Sequence, residues 1–106
     1  MTAGSMIRVK SRDGFELDAY HVKAEGARKG GVIVIQEIFG LSDHIKEMTE
    51  RLGAAGYEAI APSMYDRAER GFVVQAQDVA AGLAKGRDLA MGNGPENAMN
   101  DVGGVF

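Results

Sequence analysis

The sequence predicts an α/β fold, with an antiparallel hairpin leading into a parallel strand–helix–strand unit and then helices. Three observations carry that expectation. Apolar and polar residues alternate on either side of Asp13-Gly14, a hairpin turn signal. Val32, Ile33, Val34 and Ile35 follow one another without alternation, as suits a strand covered on both faces. Between that run and a second apolar segment, Ile45, Met48, Leu52 and Ala55 recur at helical spacing.

The elements follow in chain order. Residues 1–5 read as a flexible start, and residues 6–22 as the hairpin, with a slip in alternation near Tyr20 that predicts a bend or bulge. "EGARKGG" is a polar, glycine-rich connection to the strand at 32–35. A helix is predicted from residue 43, capped by Ser42 or Asp43, supported by a Glu47/Arg51 pair four apart, and ended by Gly56. "YEAIAP" at 57–62 is the second strand, stopped by Pro62. Residues 32–61 thus form a strand–helix–strand unit, whose crossover is expected to be right-handed. Beyond Pro62, residues 63–77 read as loop, and residues 77–105 as weak helices. The first of these carries Val79, Leu83 and Ala90 at helical spacing, and Gly82 and Gly86 each cost it roughly 1 kcal/mol relative to alanine. "GNG" breaks the chain, and Pro95 suits the first turn of a last helix bearing Ala98, Val102 and Val105 on one face.

Composition excludes several function classes. The 106 residues carry a net charge of −3 and 12 scattered basic residues, which gives no footprint for nucleic acid or an acidic membrane. No apolar run approaches the roughly 20 residues that span a bilayer, and no secretory signal opens the chain. There is no cysteine, hence no disulfide framework and no thiol nucleophile. A cytoplasmic protein without cofactor or metal is the resulting expectation, since no His/Asp/Glu cluster has metal-ligand spacing.

Chemistry concentrates at "GVIVIQEIFG", residues 31–40. In open α/β sheets, sites lie outside the carboxyl ends of the strands, and Glu37 falls there. The Ile38 N–H, just past the strand, is placed to face an oxyanion. Helix capping or pairing with an arginine is the structural alternative for Glu37. His44 follows Ser42 and Asp43, but neighbours in sequence do not make triad geometry, and His21 lies in the hairpin away from the strand ends. No G-x-S-x-G elbow occurs, Ser63 lacks flanking glycines, and no glycine pair has phosphate-loop spacing.

Gln36-Glu37-Ile38-Phe39-Gly40, followed after a helix by Gly56-Tyr57 and Pro62-Ser63-Met64-Tyr65, resembles the dienelactone hydrolase family of α/β-hydrolases. The resemblance is strong from 32 to 67 and looser beyond, and it implies the amino-terminal part of an α/β-hydrolase fold. It implies that Glu37 hydrogen-bonds and helps to activate a nucleophile, and that the Ile38 amide supplies half of an oxyanion hole. Arg67 aligns with an arginine often found there and, with Phe39, is a candidate substrate-binding residue. Ser63 stands where an acid is common. The family's triad of cysteine or serine, aspartate and histidine is expected beyond Phe106, so the chain reads as the amino-terminal half of such an enzyme. A small-molecule lactone or ester is then its substrate only if the fold is completed. A half-fold with an open apolar edge is also expected to form a homo-oligomer or to join a complementing chain.

Overall fold

A computed structural model describes residues 3–74 and 79–104. The elements are β1 (Ser5–Lys10), β2 (Glu16–Val22), β3 (Gly30–Ile33), α1 (Asp43–Ala54), β4 (Tyr57–Pro62) and α2 (Val79–Gly103). The four strands form one sheet in the order β1-β2-β4-β3. β1, β2 and β4 are successively antiparallel, and β3 runs parallel to β4 across the α1 crossover. The α/β class with hairpin, parallel unit and helices is therefore the one observed.

Local chemistry explains each boundary. Ser5 already pairs with His21, so β1 begins within the stretch expected to be a flexible start. The hairpin closes through residues 11–15 rather than a two-residue turn, with Ser11 N–H donating to Phe15 C=O (2.8 Å) and Gly14 at φ 93°. Ser42 caps α1, its hydroxyl accepting from Ile45 N–H, and Gly56 at φ 101° follows the helix end. Arg51 Nη2 donates to Glu47 Oε1 at 2.7 Å, an exposed pair worth about 0.3–0.5 kcal/mol.

Three packing expectations are corrected. The β1–β2 register runs unbroken from Ser5↔His21 to Lys10↔Glu16, so there is no bulge near Tyr20. The alternation slips because β2 is covered on both faces: Leu17 and Ala19 are buried on one, Tyr20 and Val22 on the other. On α1 Ile45 is buried as the stripe predicts, but the buried face continues through Thr49 and Gly53, and Met48 is exposed. Small residues let this helix lie close to the sheet: a Cβ on Gly53 would meet Val22 Cγ1 at 2.3 Å. Finally, β3 is an edge strand of four residues, only partly covered, although Val34 N–H extends its pairing to Ile60 C=O (2.8 Å).

Apolar burial divides into two clusters. Tyr20, Val22, Leu41, Ile45 and Ala61 lie between the sheet and α1. Met64, Tyr65 and Phe72 pack beneath α2 against Leu89, Ala98 and Val102. α2 breaks at Gly94 (φ 74°), and Pro95 then opens its second segment, as the sequence suggests. Val105 lies outside the described residues.

Arg67 ties three distant segments together. Its Nη2 donates to Asp101 Oδ1 (2.8 Å), Asp13 Oδ1 (2.7 Å) and Ser11 Oγ (3.0 Å), and its guanidinium stacks on Phe15 4.8 Å from the ring centroid. The bonds from Arg67 and Ser11 hold the Asp13 carboxyl well below its ordinary value of 3.8. A depressed carboxylate adds stability above its unfolded pKa and loses it as pH falls through the folded one. Asp13→Asn is therefore expected to lower the denaturation midpoint at pH 7, with the gap to wild type closing as pH drops below 3.8. Parallel pH profiles for the two proteins would count against this account.

Candidate functional site

At the carboxyl end of β3 the chain leaves the ladder and turns sharply. Gly40 N–H donates to Glu37 C=O at 3.1 Å, closing a tight turn over residues 37–40 with Ile38 and Phe39 at its centre. Gly40 takes φ 84°, and a Cβ there would lie 2.2 Å from Phe72 C=O, so both backbone conformation and space require glycine. Val74 N–H donates to Phe39 C=O at 2.9 Å, fastening the turn to the segment leading into α2.

Gln36 holds the start of this turn. Its side-chain oxygen accepts from Met64 N–H (2.8 Å), and its side-chain nitrogen donates to Glu37 C=O (3.3 Å). From the other side, Asn93 Nδ2 donates to Met64 C=O at 3.2 Å. Two side chains thus hold the N–H and the C=O of Met64, just beyond β4. Burial pushes the neighbouring Tyr65 phenol above its ordinary value, with Gln36 pulling the other way.

These contacts frame a cleft of about 530 Å³ at the strand ends, lined by Glu37, Ile38, Ile35, Met64, Met91 and Asn93 among others. Its surface is mostly apolar, with Ile35 53% and Met91 80% exposed. Glu37 is exposed, and among the described residues its carboxylate has no hydrogen-bonding or ionic partner. Helix capping and arginine pairing, the structural alternatives for this acid, are thus not seen among those residues. The Ile38 N–H likewise has no acceptor among them, as suits the first central position of a turn closed by its flanking residues. Glu37 and Ile38, whose carboxylate and amide have no partner among the described residues, thus line one apolar cleft, a pairing that can serve a proton transfer beside a developing oxyanion.

The other candidates lie elsewhere. Phe39 lines a separate cavity of about 500 Å³ with Leu41, His44, Val73 and Val79. Arg67 is not among the residues lining either cavity and is committed to Asp101 and Asp13. His44 sits in the exposed first turn of α1, and His21 Nε2 lies 2.8 Å from Glu58 Oε2 on the sheet. Among the described residues no group of three or more His, Cys, Asp or Glu could hold a metal ion. No helix there is long and apolar enough to cross a membrane.

Sequence reasoning missed Asn93, whose surroundings "GNG" read only as a break. Its Oδ1 is the one buried side-chain polar atom without a partner among the described residues.

Comparison with known proteins shows the family and the fold. The profile of the "Dienelactone hydrolase family" matches residues 17–102. A "Putative carboxymethylenebutenolidase" of Synechocystis is 48% identical over 58 residues, covering 55% of this chain and 23% of that protein. One of the same description from Saccharolobus solfataricus is 46% identical over 57 residues, covering 54% of this chain and 22% of that one. The matched stretch thus spans less than a quarter of either relative. The crystal structure of an α/β hydrolase from Novosphingobium aromaticivorans superposes with a TM-score of 0.58 at 17% identity, covering 99% of this chain and 31% of that one. This last likeness concerns the fold alone.

Proposed function

The chain belongs to the dienelactone hydrolase family, and from that premise we propose that it forms the amino-terminal part of a hydrolase of small lactones or carboxylic esters. The observation that carries the reading is that Glu37 and Ile38 leave β3 together and line the same apolar cleft. Glu37 then receives a hydrogen bond from a nucleophile supplied outside these 106 residues and helps to activate it. The Ile38 N–H donates to the oxyanion of the tetrahedral intermediate. Acyl transfer needs a nucleophile with a base beside it, and among the described residues nothing of that kind adjoins Glu37.

The test joins this chain in frame to the part of a matched relative that follows the region corresponding to residues 17–102 and measures lactone and ester turnover. The 106 residues alone are expected to give background rates. The folded chimera is expected to turn over substrate, and Glu37→Gln to slow it about 10²-fold or more, the range of a lost proton-transfer group. Robust turnover by the 106 residues alone, or a chimera indifferent to Glu37→Gln, would refute the proposal.

A second reading is favoured by the open edge of β3. The opposite edge, β1, carries Arg8 and Lys10, charges of the kind that discourage edge pairing. β3 and its extension through Val34 and Ile35 carry none. In this reading the half-fold associates with another copy or with a complementing chain along that edge. Light scattering is expected to show self-association at micromolar concentration, and a stable monomer there would remove this reading.

A further inference from the structure

Three contacts join α2 to the turn that carries Glu37 and Ile38. Val74 N–H bonds Phe39 C=O, and the Val74 side chain fills the space a Cβ would need at Gly82, 2.4 Å from its Cγ1. One helical turn on, a Cβ at Gly86 would lie 2.3 Å from the Ile38 carbonyl oxygen and 3.3 Å from its carbonyl carbon. Residues four apart share a helix face, so Gly82 and Gly86 form one notch seated on this segment. Leu89 and Asn93 continue the same face onto the Tyr65 cluster and Met64 C=O.

We propose that Gly86 is a positioning residue: the notch lets α2 bear directly on the Ile38 carbonyl, and so, together with the Gly40 N–H bond to Glu37 C=O, fixes the turn whose first peptide presents the Ile38 N–H to the cleft. The neighbour that an alanine side chain would strike is backbone, not the far end of a flexible side chain. The turn or the helix must therefore shift. Hydrogen bonds to an oxyanion depend steeply on donor distance and angle, and a misplacement of about 1 Å can cost on the order of 10²-fold in rate. The functional meaning of this rests on the hydrolase reading; the mechanical claim does not.

Amide resonances of the 106-residue chain test it. Gly86→Ala is expected to displace the Ile38 and Phe39 signals and to reduce hydrogen-exchange protection at Val74 N–H, leaving β1–β2 amides unchanged. Gly92→Ala, on the same helix with nothing within 4 Å of its added Cβ, is expected to leave Ile38 where it was. Should Gly86→Ala fail to fold, Val74→Ala relaxes the notch without a clash and is expected to displace the same Ile38 signal. An Ile38 amide unmoved in the folded Gly86→Ala protein, or in Val74→Ala where only that folds, overturns the proposal. Equal displacement by Gly92→Ala overturns it as well. The hydrolase reading is judged separately by turnover of the chimera, so either can fail alone.

Discussion

Arg67→Ala is expected to destabilise the chain by about 3 kcal/mol, toward the lower end of the range for breaking a buried ion pair by removing one partner. The reason lies with what is left behind. Asp101 is 0% exposed, and Arg67 supplies its bonds through Nε (3.1 Å) and Nη2 (2.8 Å). Without the guanidinium, a carboxylate sits in the interior with no compensating charge. The Asp13 arm of the network is more exposed and contributes less than the Asp101 arm. Phe15 also loses its stacking partner.

The same substitution should show a pH signature. Burial already pushes the Asp101 carboxyl above its ordinary value, with Arg67 opposing it. Removing Arg67 takes away that opposition, so the folded pKa rises further. A group with a raised folded pKa favours the folded state while protonated, and that contribution is lost as pH climbs through the raised value. The deficit of Arg67→Ala is therefore expected to be larger at pH 7 than near pH 4. Adding Asp101→Asn should recover much of it at neutral pH. Denaturant titrations of the two single variants and the double give the coupling directly. Additive losses, with no recovery in the double variant, would show that Arg67 acts through packing alone.

The parallel unit was legible because its signals are local. The Ser42 cap, the Glu47/Arg51 pair and the Gly56 stop are each set by near neighbours in the chain, and each appears where the pattern puts it, whereas the strand expected at 32–35 begins two residues earlier, at Gly30, and ends at Ile33. The position of the candidate residues was legible in the same way: "QEIFG" follows the strand closely, so Glu37 and Ile38 had to emerge beyond its carboxyl end. What stayed hidden depends on partners far away in sequence. Tyr20 breaks the alternation because α1 covers that face, through Glu50 among others, and this is a tertiary fact. Arg67 meets Asp101 and Asp13, 34 and 54 residues away, and nothing local to it announces either. Gly82 and Gly86 were counted as losses of helix propensity, yet they are the contact face of α2. Propensity prices a residue in an isolated helix, whereas close packing rewards the missing side chain. The buried face of α1 misled for the same reason, since Gly53 rather than Leu52 lies against Val22.

Gly40→Ala is expected to be the other severe change, costing about 2–5 kcal/mol from two separable sources. An L-residue forced into the left-handed region costs roughly 1–2 kcal/mol, and Gly40 sits at φ 84°. Overpacking adds about 1–3 kcal/mol, because the new Cβ would lie 2.2 Å from Phe72 C=O and 3.1 Å from its carbonyl carbon, backbone atoms that cannot rotate away. Gly14→Ala isolates the first source, since Gly14 has φ 93° with nothing within 4 Å of the added Cβ. The difference between the two variants' losses measures the contact with Phe72. Because Gly40 bridges both Glu37 and Val73, the change is also expected to weaken hydrogen-exchange protection of Gly40 and Val74 N–H, while Gly14→Ala leaves both protected. Equal losses in the two variants would mean that the turn relaxes away from Phe72 without cost. In that case the placement of Glu37 and Ile38 would rest on Gln36 and on the notch of α2 rather than on the close approach of residues 40 and 72.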